Sequence, residues 1–422
     1  VENKLIKTEE RKMANKFNFV GKISIPKDTD KFKAFDISDV KGLYTKHTLT
    51  LNACCGDSRH SLRLQVFGDK NMSERNIYTL LNKNADGECL FVKIPFNERF
   101  EKAKEVAPFK KFVINTGDAD ERNIFYSMQN RYKNDGLTDE EKAKYDIHSE
   151  KDIEKLIENS YSQRKEFIYE YDFINELYDI FSKEEYQNMK FRISGNYQFT
   201  KSVDSDGNTK YYTEYIPTKI IRVKDSEEFS STMTAEIIFS DSDCINIVET
   251  IDGKKNKMLN GYLVNYNKNY KKDDMTSEKY ISMPISVNMD ILSDKGLEKF
   301  KEKLDVITAT SDYKVIGLVL NCIDGSPTLN FSEDMLTEDE KADIECGFYT
   351  FEDLKKEKGA VKGEKIKEFQ FMKLATGYSG GAKNTEYKAS LFDKKDESID
   401  DDFNFNDLSD LGINLEGFEE LS

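Results

Sequence analysis

The side chains in this sequence best suited to chemistry are cations and aromatic rings set on alternate positions of β-type segments. Leu62, Leu64 and Val66 share one parity, so a strand that buries them turns Arg59, Arg63 and Phe67 to the opposite face. A second group gathers on a hairpin: Lys201, Lys210, Tyr211, Tyr212 and Tyr215, with Lys219 and Arg222 beyond it. Cations neutralise phosphates, and an aromatic plane stacks on any base for about 1–3 kcal/mol. Together these types suit a single nucleic-acid strand. Phosphate contacts are expected from Arg59, Arg63, Lys201, Lys210, Lys219 and Arg222, and base stacking from Phe67, Tyr211, Tyr212 and Tyr215. Phe199 on the same hairpin reads as core. Tyr262, Tyr266 and Tyr270 with Lys268, Lys271 and Lys272 repeat the pattern, although a solvated loop between strands accounts for them as well.

Other chemistry finds little support. No GxxxxGK[ST], HExxH or GxSxG motif occurs, and three histidines leave few general bases. Lys133-Asn-Asp-Gly136 matches the KxDG of nucleotidyl-transferring ligases, but it lies among turn formers without companion motifs. His47, Cys54, Cys55 and His60 are all types that ligate zinc. Finger spacings are missing and the stretch reads as strand and turn, so buried thiols are expected there. Asp204-Ser-Asp206-Gly207 resembles a calcium loop without its third carboxylate or distal Glu, and a hairpin turn explains it. The expectation is a non-enzyme with no catalytic residues, no metal and no cofactor.

Taken as a total, charge opposes a nucleic-acid partner, because the 422 residues carry a net −16. The charge is segregated, however. Residues 1–115 hold 22 basic and 15 acidic side chains and residues 189–224 hold 7 and 3, whereas 116–188 hold 10 and 19 and 225–395 hold 24 and 32. Residues 396–422 hold 10 acidic side chains and no basic one. Membrane-spanning, collagen-like and disulfide-rich classes are excluded, since no apolar run approaches about 18 residues and the six cysteines show no CxxC pair. A reduced, cytoplasmic setting is the expectation, that of the host cytoplasm if the chain is phage-encoded.

These side chains need a β scaffold. Phe17, Phe19, Gly21, Ile23 and Ile25 alternate with polar residues until Pro26, and Leu49, Leu51 and Ala53 do so before the Gly56-Asp57-Ser58 turn. Phe191, Ile193, Gly195, Tyr197 and Phe199 form the strongest alternation, and Asp206-Gly207 turns the chain back through Tyr211 to Val223. Pro217 marks an edge or a bulge. Between these regions the period becomes helical, with Thr138 to Glu141 as a capping box and Phe167, Tyr171, Ile174, Tyr178 and Phe181 on one face. A second β region spans about 233–325, with a short helix at Leu297 to Leu304, and a further helix begins at Thr337. No internal repeat stands out.

The organisation that follows is mainly β (α+β). Residues 1–12 form a flexible extension, and 13–115 with 189–224 form one nucleic-acid-binding β unit, which the resemblance given below implies is an OB-like barrel. An acidic helical insertion occupies 116–188, a second small β domain 225–330, a helical and irregular region 331–395, and a disordered acidic tail 396–422. The tail alternates acids with apolar residues. Asp400, Asp401, Asp402, Phe403, Phe405, Leu415 and Phe418 would dock in a partner or lie across the basic barrel.

Phe17-Asn-Phe-Val-Gly-Lys-Ile-Ser-Ile25 resembles the opening strand of an OB barrel, and Arg192 to Phe199 with Tyr211 to Val223 resemble its closing strands. With the tail, the chain looks like the acidic-tailed single-stranded-DNA-binding proteins of bacteria and phages, and its Lys/Asn/Tyr/Ile-rich composition leans toward a phage. It departs from them in lacking Trp, in its insertion and in its second β region. The resemblance implies sequence-independent binding of single-stranded DNA in replication or recombination, with the tail recruiting replication or recombination proteins and no membrane partner. A virion structural or assembly protein built from β domains is the alternative.

Overall fold

The computed structural model describes residues 4–6, 15–40, 42, 44–69, 76–83, 89–117, 119–134, 136–160, 163–204, 208–240, 244–249, 255–267, 279–305, 313–325, 328–329, 336–352, 354, 361–362, 366–385, 387 and 391–392. After a short strand β1 (Lys4–Ile6), the chain runs through β2 (Lys16–Ser24), β3 (Phe35–Val40), β4 (Tyr44–Cys55) and β5 (Ser58–Asp69). The elements β6 (Asn76–Lys83), β7 (Cys89–Pro95), β8 (Phe112–Asn115), α1 (Ala119–Tyr132), α2 (Asp139–Lys144), α3 (Glu150–Ser160), β9 (Arg164–Phe167), α4 (Glu170–Phe181) and α5 (Glu184–Gln187) follow. The long hairpin of β10 (Lys190–Val203) and β11 (Thr209–Arg222) comes next.

β2 pairs with β4 and β10, β4 with β5, β10 with β11, and β11 closes on β5 in parallel through Tyr215 and Leu62. The circuit β2-β4-β5-β11-β10 is a closed five-stranded OB-type barrel. Its alternation follows the sequence. Phe19, Ile23, Leu51, Leu62, Leu64 and Ile193 are at most 1% exposed, and burying each contributes about 1.5–3 kcal/mol. Tight closure needs glycine at two points. A Cβ on Gly21 would sit 2.6 Å from the Cys54 carbonyl oxygen, and one on Gly195 would sit 2.0 Å from that of Ile216. Gly195 stands opposite Pro217 where β11 bulges by one residue at Thr218, which accommodates the missing donor of that proline. α4 plugs the barrel with Phe173, Ile174, Leu177, Ile180 and Phe181. Of the face expected from the sequence, Ile174 and Phe181 belong to this stripe, Tyr171 and Tyr178 flank it partly buried, and Phe167 lies on β9 instead of the helix.

The rest of the segment between β5 and β10 packs outside the barrel. β1, β7 and β6 form a separate three-stranded sheet, so residues 76–95 do not belong to the barrel unit expected from the sequence, and Lys4–Ile6 is paired instead of loose. Arg99 ties this region to α4 by a bidentate pair with Asp172 at 2.7 and 3.1 Å, its guanidinium 3.7 Å from the Phe96 ring centre. α1 to α3 enclose a small core of Phe125, Met128, Leu137, Ile147 and Ile153, and Thr138 and Glu141 make both bonds of a capping box.

The second half comprises β12 (Ser230–Phe239), β13 (Ile245–Glu249), β14 (Lys255–Tyr266), β15 (Tyr280–Asn288), α6 (Asp294–Leu304), β16 (Lys314–Gly325), β17 (Thr328–Leu329), α7 (Glu338–Glu345), β18 (Val361–Lys362), β19 (Ile366–Leu374) and β20 (Lys383–Asn384). β12 pairs with β14 and β16, β14 with β15, β16 with β19, and β15 closes on β19 in parallel at Val287 and Phe369. The circuit β12-β14-β15-β19-β16 therefore repeats the first barrel strand for strand. α6 sits between its third and fourth strands as α4 does in the first, burying Leu297, Phe300 and Leu304. Its fifth strand bulges in the same way, at Met372 facing Val319 and Leu320 of the fourth. The region read as a second small β domain is thus a second OB-type barrel.

The barrels are joined edge to edge. Their first strands, β2 and β12, pair antiparallel, and Ser58 of β5 meets Gly325 of β16, so one buried apolar cluster runs through both. No helix among the described residues is long and apolar enough to cross a membrane.

Candidate nucleic-acid interface

The outer faces of β4 and β5 are set by the same alternation that fills the first barrel. Leu49, Leu51, Ala53, Leu62 and Leu64 point in, so Lys46, Thr48, Thr50 and Asn52 on β4 and Arg59, Ser61, Arg63 and Gln65 on β5 point out. They form one wall of a groove of about 890 Å³, to which the segment before β3 adds Lys31, Phe32 and Lys33. The second barrel supplies the facing wall, with Met258, Pro284, Ile285 and Ser286 from β14 and β15 and Lys367 and Phe369 from β19. Tyr197, Tyr215 and Phe369 meet between the walls. Tyr197 lies 5.0 Å from Tyr215 and 6.0 Å from Phe369, ring centre to ring centre.

One wall sets Lys46, Arg59 and Arg63 among hydroxyls with Asp36 and Glu214 nearby; the other mixes apolar side chains with Lys367, Asp324 and Glu368. Arg63 Nη1 is 3.4 Å from Glu214 Oε1, so the guanidinium is held but not saturated. Burial, and then the neighbouring Arg63, hold the Lys46 ammonium below its ordinary range, while Asp36 and Glu214 pull the other way. Two cations that strain each other at a groove wall gain from an arriving anion. An OB fold presents this face of its second and third strands, with the loops joining strands one to two and four to five, to oligonucleotides and oligosaccharides.

The expected site residues divide among several places. Arg59, Arg63 and Tyr215 line the groove. Phe67 has the same outward parity as Arg63 but lies beyond Gln65, outside the groove, its carbonyl accepting from the Tyr169 hydroxyl at 3.5 Å. Lys201, Lys210, Tyr211 and Tyr212 stand on the arms of the β10–β11 hairpin, with Lys201 opposite Tyr211 and its Nζ 5.9 Å from that ring. Tyr211 is 6% exposed and packs edge-on against Phe199, so it lacks the free face that stacking on a base needs. Phe199 is core, as its parity predicts. Lys219 and Arg222 lie at the other end of β11, Lys219 beside Val113 of β8 and Arg222 opposite Phe191. The tail residues Asp400, Asp401, Asp402, Phe403, Phe405, Leu415 and Phe418 lie outside the described residues, as do Lys268, Tyr270, Lys271, Lys272 and the Asp206-Gly207 turn.

Sequence reasoning missed Lys46, the Lys31 to Lys33 segment and Phe369. The signal for Lys46 was present, since it shares the outward parity of Thr48 and Thr50. Phe369 carries no local signal, because only the docking of the barrels brings it to Tyr197.

The buried polar groups sit beneath this groove. His60 stacks on Phe19 at 4.4 Å, its Nε2 is hydrogen-bonded to Ser231 of the second barrel, and its Nδ1 has no hydrogen-bond partner. Burial lowers its pKa to about 4. Burial also pushes the Cys55 and Cys322 thiols up to about 12, with Cys55 hydrogen-bonded to Ser231 and Cys322 to Tyr215. Neither thiol is a thiolate near neutrality. His47 is turned away from His60, its Nδ1 3.2 Å from Asn175 of α4. Among the described residues no group of three or more His, Cys, Asp or Glu could hold a metal ion. Lys133 is exposed and 3.5 Å from Glu150.

No protein-family model matches the chain, and no curated protein matches it. Among solved structures, a deletion mutant of the single-stranded DNA binding protein from Thermus aquaticus is similar at 6% identity and a TM-score of 0.25, over 74% of this chain and 86% of that one. At that TM-score the likeness bears on neither fold nor function.

Proposed function

We propose that the chain binds single-stranded DNA without sequence preference, along the groove between its two barrels. The observation that carries this reading is the outer face of β4 and β5. It places Lys46, Arg59 and Arg63 among Thr48, Thr50 and Asn52, on the face an OB fold uses for oligonucleotides. Phosphates would track these cations while bases face Phe369 and the apolar side chains Met258 and Pro284 of the second barrel. Lys201 and Lys210 would add contacts from the β10–β11 hairpin. A role in replication or recombination, with the acidic-apolar tail recruiting partner proteins, extends the same reading.

Fluorescence anisotropy of labelled oligo-dT across a salt series tests it. Binding at low salt that weakens linearly on a log–log plot, with a slope near −0.7 per phosphate neutralised, is expected. No binding at low salt, or an affinity indifferent to salt, would overturn it.

A further inference from the structure

The groove does not stop at the second barrel's edge. Met258 of β14 and Pro284 and Ser286 of β15 line it, and they belong to the outward parity of the second barrel's own OB face. In register, Tyr262 stands opposite Pro284, Val264 opposite Ser282 and Tyr266 opposite Tyr280. The face therefore continues past the groove as a row of tyrosines, with Lys279 Nζ 5.4 Å from the Tyr280 ring. Aromatic planes beside a cation are the chemistry already assigned to the first barrel.

The chain itself occupies this row. Phe392 is 3% exposed, its ring 5.2 Å from Tyr262, 4.5 Å from Tyr313 and 6.5 Å from Tyr387. Tyr387 packs 5.2 Å from Tyr280, and Ser282 Oγ donates to the Leu391 carbonyl at 2.7 Å. Among the described residues no strand ladder joins Tyr387, Leu391 or Phe392 to β14 or β15. The contact is ring on ring, the kind a nucleobase replaces at little net cost.

We propose that the outer face of β14 and β15 is a second single-stranded-DNA stacking surface, and that Tyr387, Leu391 and Phe392 form a strap that covers it until a long strand displaces Phe392 from Tyr262. This rests on the function proposed above. A short oligonucleotide occupies the first barrel alone, and a longer one reaches the tyrosine row only by displacing the strap.

The full chain with Phe392→Ala tests this against oligo-dT of about 12 and about 30 nucleotides, within and beyond the site size of one OB fold. The variant is expected to bind the longer oligomer about tenfold more tightly than the parent and the shorter one equally. Adding Tyr262→Ala should abolish the gain. An unchanged affinity for the longer oligomer, or a gain that survives Tyr262→Ala, overturns the proposal. Phe392→Trp gives a second readout, because the chain has no other Trp. Its emission should shift red with the longer oligomer only, and a constant emission at saturation overturns the strap. If the parent binds neither oligomer at low salt, the proposed function fails first, which separates the two failures.

Discussion

Asn18 of the first barrel stands opposite Thr232 of the second, and Thr232 Oγ1 donates a hydrogen bond to the Asn18 carbonyl at 3.0 Å. About this pair the first strands of the two barrels run antiparallel, so each barrel lends the other an edge that would otherwise be open. The joint makes two OB-type barrels one body and fixes the walls of the groove relative to each other.

A core substitution at the joint should therefore weaken both barrels together. Met233 lies opposite Phe17, and both are at most 1% exposed. Met233→Ala is expected to cost about 2–5 kcal/mol. In urea, circular dichroism and tyrosine fluorescence should shift to a lower midpoint in step. Two separated transitions would mean that the barrels fold independently.

Under the proposed function, Glu214 would compete with the bound strand for Arg63. Replacing it by Gln removes a carboxylate 3.4 Å from the guanidinium and leaves the groove otherwise intact. Glu214→Gln should tighten oligo-dT binding several-fold at low salt. Arg63→Ala should weaken it and reduce the log–log salt slope by about 0.7, one phosphate contact on a single strand. An unchanged slope in Arg63→Ala would remove Arg63 from the phosphate track.

Much of the first barrel was legible because one-sided burial writes a period of two into β2, β4, β5 and β10. Parity alone placed Arg59 and Arg63 on the outer face and Phe199 in the core. The place of Tyr211 on the hairpin, and not its parity, sets it among the expected stacking residues; it pairs with Lys201, which has the parity of Phe199, and packs inward on Phe199. The second barrel was illegible as a repeat. An OB barrel constrains strand order and the bulge of its fifth strand against its fourth, not side-chain identity, so Thr218 and Met372 occupy equivalent places without similar sequence. The composite groove lay further out of reach, since it depends on how two barrels dock.

Cysteine reactivity should follow burial. Cys346 is exposed, whereas Cys55 and Cys322 are buried with thiols pushed up to about 12. In the folded protein at about pH 8, Cys346 should react with an aromatic disulfide reagent within minutes, and Cys55 and Cys322 only after unfolding. Peptide mapping after a short pulse distinguishes them. Early labelling of Cys322 would mean that the seam beneath Tyr215 opens readily.

His60 makes the seam sensitive to acid. Its ring lies between Phe19 and Tyr215, 1% exposed, and burial alone lowers its pKa from an ordinary 6.5 to about 4. The unfolded chain takes up this proton at higher pH than the folded one, so unfolding binds protons between the two values. The stability that a neutral His60 permits is full above pH 6.5 and is lost as pH falls from there toward 4. The displacement corresponds to about 3 kcal/mol. Burial lowers the His47 pKa as well, which adds to the loss with the same sign. Urea midpoints at about pH 7 and pH 4.5 should therefore fall more steeply for the parent than for His60→Gln, which cannot take up the proton. Equal falls in the two proteins would show that His60 is not the group that titrates, and would shift the acid sensitivity to His47 or the carboxylates.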